Sequence, residues 1–173
     1  MDTVLPKPIT KDRLYLGIDP GANGGIAAIY PSGMFDLRAS MPETELGIWF
    51  LISGLKDSNV TAVIEWIHPA IKGIGKSPMS KLYGSYMALR TALTAAQIPF
   101  ETVQAYKWQQ AMGISNRKAG EATNKWKDRL RAKAQQLFPR EEIWKETLGK
   151  QRAVCDAMLI ALYCQRLHEG KLG

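Results

Sequence analysis

Apolar residues along this chain fall into short unbroken blocks bounded by turn formers and longer stretches with helical spacing. Leu14-Tyr15-Leu16-Gly17-Ile18 is a block of the first kind and ends at Asp19. Pro20-Gly21-Ala22-Asn23-Gly24-Gly25 follows, rich in residues that tolerate positive φ, and Ile26-Ala27-Ala28-Ile29-Tyr30 resumes the apolar run. This is the pattern of a strand, a turn and a returning strand. Pro31-Ser32-Gly33 marks another turn, with a third strand over 35–38. Over 43–55, Leu46, Trp49, Phe50 and Ile52 recur at the spacing of a helix lying on a sheet. Thr61-Ala62-Val63-Ile64 is almost wholly apolar, as in a parallel strand covered on both faces, and ends at Glu65.

Residues 67–80, with Pro69, Gly73, Gly75 and Pro78, read as a loop long enough to be functional. A helix over 81–96 carries Leu82, Met87, Leu89 and Leu93 beside the small Gly84 and Ser85; a last strand spans 99–103. Helices over 106–112, 121–138 and 153–168 complete the pattern, with no repeat or low-complexity tract. A hairpin opening followed by alternating strands and helices predicts one α/β domain over 13–173, behind a flexible polar tail at 1–12. Its sheet has five strands: three antiparallel, then parallel ones, with helices on both sides.

Composition narrows the setting. At 173 residues, with 46% hydrophobic residues, the chain can bury a real core as a single domain. A formal net charge of +7 points to a polyanionic partner or an anionic membrane surface. No apolar run approaches the roughly 20 residues that span a bilayer, and Met1-Asp2-Thr3-Val4-Leu5-Pro6-Lys7-Pro8 lacks the form of a signal peptide. Cys155 and Cys164 lie on opposite faces of one predicted helix and cannot bridge each other, which fits a reducing compartment. A cytoplasmic, nucleic-acid-facing protein is expected, with an organelle also compatible.

Three carboxylates stand where acids are costly. Asp19 and Glu65 end apolar strands, and Asp156 sits within 153–163, a helix apolar almost all round. A charge so placed costs several kcal/mol unless it is paired, hydrogen-bonded or bound to a cation. No basic residue adjoins Asp19 or Glu65, so a shared cation is expected. If the first and fourth strands are parallel neighbours, Asp19 and Glu65 emerge at the same sheet edge, and the last helix can bring Asp156 to them. Carboxylates favour Mg²⁺ or Mn²⁺, and no Cys/His set for zinc is present. Two such ions ~3.5–4 Å apart can activate water and stabilise the leaving oxygen of a phosphodiester. Each acid also has a local reading: a hairpin turn for Asp19-Pro20-Gly21, a solvated strand end for Glu65, a helix cap for Asp156.

The positive charge is concentrated. Lys107, Arg117, Lys118, Lys125, Lys127, Arg129, Arg131 and Lys133 face only Glu121 and Asp128 within 107–133. Ala122, Trp126 and Leu130 form one stripe of the predicted helix, with Lys125, Arg129 and Lys133 one position behind. That pairing suits a helix lying along a phosphate backbone, against the plainer reading of a solvated face. Lys72, Lys76 and Lys81 lie in or just after the loop that follows Glu65, so they also count as phosphate contacts. Ile74, Pro78 and Met79 are candidates for a wedge into the bound nucleic acid, and His68 for orienting water or phosphate. Trp108 and Trp126 are assigned to the core.

Gly17-Ile18-Asp19-Pro20-Gly21, Val63-Ile64-Glu65 with His68, and Asp156-Ala157-Met158-Leu159-Ile160-Ala161 resemble the motifs of RuvC-type Holliday junction resolvases. Tyr83-Gly84-Ser85-Tyr86, Lys107-Trp108-Gln109-Gln110-Ala111-Met112-Gly113 and Leu137-Phe138-Pro139 are similar to the phage and organellar branch of that family. The resemblance covers most of 14–168. It implies an RNase H-like fold, a homodimer with the 81–96 helix packed on its twin, and paired Mg²⁺-dependent nicks across a four-way DNA junction. Asp19, Glu65 and Asp156 would be its metal ligands and catalytic acids. The family carries a further Asp or His shortly before the last acid, where this chain has Gln151-Arg152-Ala153. Arg152 cannot ligate a metal but can clamp a phosphate, leaving Glu146 or a main-chain group to stand in as ligand. The alternative is a protein of this fold that binds branched DNA with little or no cutting. A sugar-kinase-like ATPase shares the Asp-Pro-Gly turn but needs a second lobe and phosphate loops that are not seen here.

Overall fold

The strand that ends at Asp19 lies at the centre of the sheet. In the computed structural model, which describes residues 12–56, 58–69 and 75–172, β1 (Arg13–Asp19) pairs antiparallel with β2 (Gly25–Ile29) and parallel with β4 (Asn59–Glu65). Adding β3 (Phe35–Ser40) and β5 (Phe100–Val103) gives a mixed sheet in the order β3-β2-β1-β4-β5. Ile18 is in register with Ile64, so Asp19 and Glu65 leave their strands side by side. The expected sheet is the observed one.

Two apolar layers enclose it. Leu14, Leu16, Ile18 and Ile64 point to α1 (Glu45–Ser53) and α2 (Lys76–Ala95). Tyr15, Ala27 and Val63 point to α3 (Ala105–Ala111), α4 (Thr123–Leu137) and α5 (Leu148–His168). Side chains alternating across β1 thus both find cover, which explains its unbroken apolar block. The α5 helix lies on the sheet main chain to main chain. A Cβ at Gly17 would meet the Ala161 nitrogen at 2.1 Å and the Ala157 oxygen at 2.4 Å; one at Gly25 would meet the Ala153 oxygen at 2.5 Å. Only glycine permits that approach.

Two helix starts and one helix face differ from the sequence expectation. The α2 helix starts at Lys76, inside the expected loop, with Gly75 as its N-cap residue. Pro78 is tolerated because the first turn has no helical acceptor for its missing N–H. Met79 is buried in the core, so it is no wedge, while Lys72 and Ile74 lie outside the described residues. The α5 helix starts at Leu148, capped by the Thr147 side chain, which accepts from the Lys150 amide at 3.5 Å. Asp156 is therefore well inside the helix and caps nothing. A 3₁₀ turn at Glu142–Lys145 precedes it. On α1 the core face is Ile48 and Ile52; Leu46 and Phe50 are 61% and 66% exposed and Trp49 is 38% exposed, contrary to the expected sheet-facing stripe. No helix among the described residues is long and apolar enough to cross a membrane.

Candidate active site

The two parallel strands deliver Asp19 and Glu65 to one edge, and α5 brings Asp156 over it. Asp19 and Asp156 are 8% and 6% exposed, and Glu65 is half-buried. Burial, then the charges of Asp156 and Glu65, push Asp19 well above the usual carboxylate range. Burial likewise drives Glu65 up to about 7, against a hydrogen bond from Trp108 that lowers it. Asp156 is raised by burial despite the opposing pull of Lys127. Acids that perturb one another in this way share one space.

The structure adds two residues to that space. Lys127 of α4 reaches the acids, with Nζ 2.9 Å from Oδ2 of Asp156. Burial works against its charge, but Asp156, Asp19 and Glu65 together outweigh it and raise its pKa. The Trp108 indole donates to Oε2 of Glu65 across 2.7 Å. Trp108 is a core residue as expected, but its N–H also serves the site. The sequence had placed Lys127 in the basic interval without a role at the acids. The usable signal was its position one residue after the buried Trp126, at the edge of the core-facing stripe.

In donor type the trio fits a hard divalent cation: three carboxylates, with Oδ1 of Asp156 buried and lacking a hydrogen-bond partner. In placement it is not a preformed metal site, because among the described residues no group of three His, Cys, Asp or Glu is disposed to hold an ion. In this arrangement the Lys127 ammonium pairs with Asp156 and lies within the charge of Asp19 and Glu65.

No family model matches the chain, and no curated protein matches it. Among solved structures it is similar to T. thermophilus RuvC in complex with a Holliday junction substrate, with 13% identity and a TM-score of 0.56. That alignment covers 91% of this chain and 97% of the other. A second structure of Thermus thermophilus RuvC aligns at 14% identity and a TM-score of 0.53, with the same coverage. The fold is that of RuvC. The resemblance seen in the motifs stands at the level of architecture.

Around this RuvC-like edge the remaining predicted residues divide. Arg152 donates through Nε and an Nη to Oδ1 of Asp128 at 3.1 and 2.7 Å, bracing α5 to α4. Those donors are engaged within the chain. Glu146 is exposed and pairs with Lys150 at 3.1 Å. Arg129 is likewise engaged within the chain: it grips both carboxylate oxygens of Glu121 at 2.9 and 3.1 Å, bonds Ser115, and lies 4.9 Å above the Trp126 ring. Arg117 donates to the Glu121 carbonyl and to Thr123, tying the same loop. Lys76, Lys81, Lys107, Lys118 and Lys125 are exposed, and Lys133 is half-buried, 3.5 Å from Oε1 of Gln136. His68 is exposed, edge-on to Trp66 at 5.2 Å.

Proposed function

We propose that this chain is a structure-specific DNA endonuclease that binds four-way junctions and cuts them by paired, metal-dependent phosphodiester hydrolysis. The observation that carries the reading is the gathering of Asp19, Glu65 and Asp156, from two strands and a distant helix, at one edge of a RuvC-like sheet. A protein of that fold is known bound to a Holliday junction.

Asp19, Glu65 and Asp156 would hold Mg²⁺ or Mn²⁺; the ion, when bound, would supply a Lewis acid and an activated water.

 Two ions per site is the number proposed. Trp108 holds Oε2 of Glu65 from the core side. Lys76, Lys81, Lys107, Lys118 and Lys125, exposed on neighbouring elements, would track the phosphate backbone without reading sequence. Cuts on two strands of a two-fold junction call for two copies of the site, so a homodimer is part of the proposal. A groove of about 860 Å³ between α1 and α2, lined by Ile48, Leu82, Ser85 and Ala88 among others, offers a face for it.

The test is incubation of the protein with a mobile-core four-way junction in Mg²⁺ and in Ca²⁺. Symmetric nicks in Mg²⁺, abolished by Asp19→Asn with binding retained, are expected. Junctions that are bound but stay intact would leave the second reading, a binder that does not cut, which the Lys127 contact and the absent fourth acid favour.

A further inference from the structure

Lys127 enters the acid cluster from a part of α4 that is fixed on both sides. Its neighbour Trp126 is buried, Asp128 is bonded to Arg152 of α5, and Arg131 donates to Gln151 of α5 at 3.0 Å. The backbone at Lys127 is thereby held against α5, and only the four-carbon side chain is free to move. Its ammonium contacts Asp156 at 2.9 Å and interacts with Asp19 and Glu65, while the side chain remains 30% exposed. The ammonium thus pairs directly with one acid and lies within the electrostatic reach of the other two.

We propose that Lys127 is a resident counter-ion that a divalent cation must displace, so that lysine and metal are alternative occupants of the cleft between Asp19, Glu65 and Asp156. The inference rests on the metal-dependent reading above. Two cations a few ångströms apart in a poorly solvated cleft repel each other strongly, and both compete for the same carboxylate oxygens. The exposed side of Lys127 gives the displaced ammonium a route towards solvent. Metal affinity is then set by the lysine as well as by the acids, and entry of the metal requires the side chain to withdraw.

Mn²⁺ binding to the full chain, without DNA, tests this by calorimetry or by the electron paramagnetic resonance signal of free Mn²⁺. Lys127→Met is expected to bind Mn²⁺ roughly tenfold more tightly or better, Lys127→Arg to stay near the parent, and Asp156→Asn to lose binding. Added Mn²⁺ should also raise the melting temperature of Lys127→Met more than that of the parent. Should Lys127→Met fail to fold, Lys127→Gln, which keeps a polar side chain, takes its place in the same titration. Equal or weaker binding by the folded lysine variant, with binding still lost in Asp156→Asn, overturns the counter-ion role and leaves the metal site standing. Absence of Mn²⁺ binding in every protein overturns both.

Discussion

Trp108 donates its indole N–H to Oε2 of Glu65 across 2.7 Å from a ring that is wholly buried. The bond holds the glutamate in place from the core side, and it is the one contribution that counteracts burial most strongly at that acid. Trp108→Phe keeps an aromatic ring and removes the donor. It is expected to cost about 1–3 kcal/mol of stability in urea unfolding, since a buried acceptor loses its partner. Junction cutting should fall with it, while junction affinity in a gel-shift measurement should hold.

The acids give the metal-free protein a pH dependence with a definite sign. Glu65 has its pKa raised from 4.5 to about 7, and Asp19 and Asp156 are raised as well. The folded state therefore binds more protons than the unfolded one, and stability falls as pH rises. The contribution from Glu65 is fully present below pH ~4.5 and is lost as pH passes about 7. Unfolding by urea at pH 5 and pH 8 without divalent ions should differ by on the order of 2 kcal/mol, with the lower value at pH 8. Lys127 is raised in the alkaline range and does not alter the sign in this window.

Arg152 and Asp128 are expected to behave as one unit. Arg152→Met and Asp128→Asn should each cost about 1 kcal/mol, and the double variant little more than either alone. A phosphate-clamping arginine would behave differently: Arg152→Met would weaken DNA binding, and Asp128→Asn would not. A double-mutant cycle in unfolding, run beside junction affinities, separates the two roles.

Gly17 is expected to tolerate no side chain. A Cβ there would sit 2.1 Å from the Ala161 nitrogen, which belongs to helix backbone and cannot swing aside. Gly17→Ala should destabilise the protein by more than about 3 kcal/mol, as overpacking at a rigid contact does. Thermal unfolding of the variant beside Gly33→Ala, where nothing lies within 4 Å but φ is +87°, distinguishes the clash from backbone strain.

The sheet was legible because its strands are short apolar blocks ended by turn residues, and their order left little choice of topology. The acids were legible for the same reason: each is a charge at the end of, or inside, such a block. Helix starts were not. Gly75 and Pro78 looked like loop residues but form the cap and first turn of α2. The polar stretch from Thr147 to Arg152 hid the first turns of α5, whose core-facing stripe begins only later. Trp49 and Phe50 show that apolar spacing gives a period without saying which face meets the core. Lys127 was hidden because its partner, Asp156, is 29 residues away and the contact exists only after α4 packs on α5. Arg152 and Arg129 looked like free charge because Asp128 and Glu121 find them in space, not at neighbouring positions in the sequence.

Asp156 belongs to the helix that buries more side chains than any other and that roofs β1 and β2. Detaching that helix strips the sheet of half its cover in the same event that removes the acid. Loss of structure and loss of the proposed activity should therefore coincide, with no half-denatured form that keeps the three acids together.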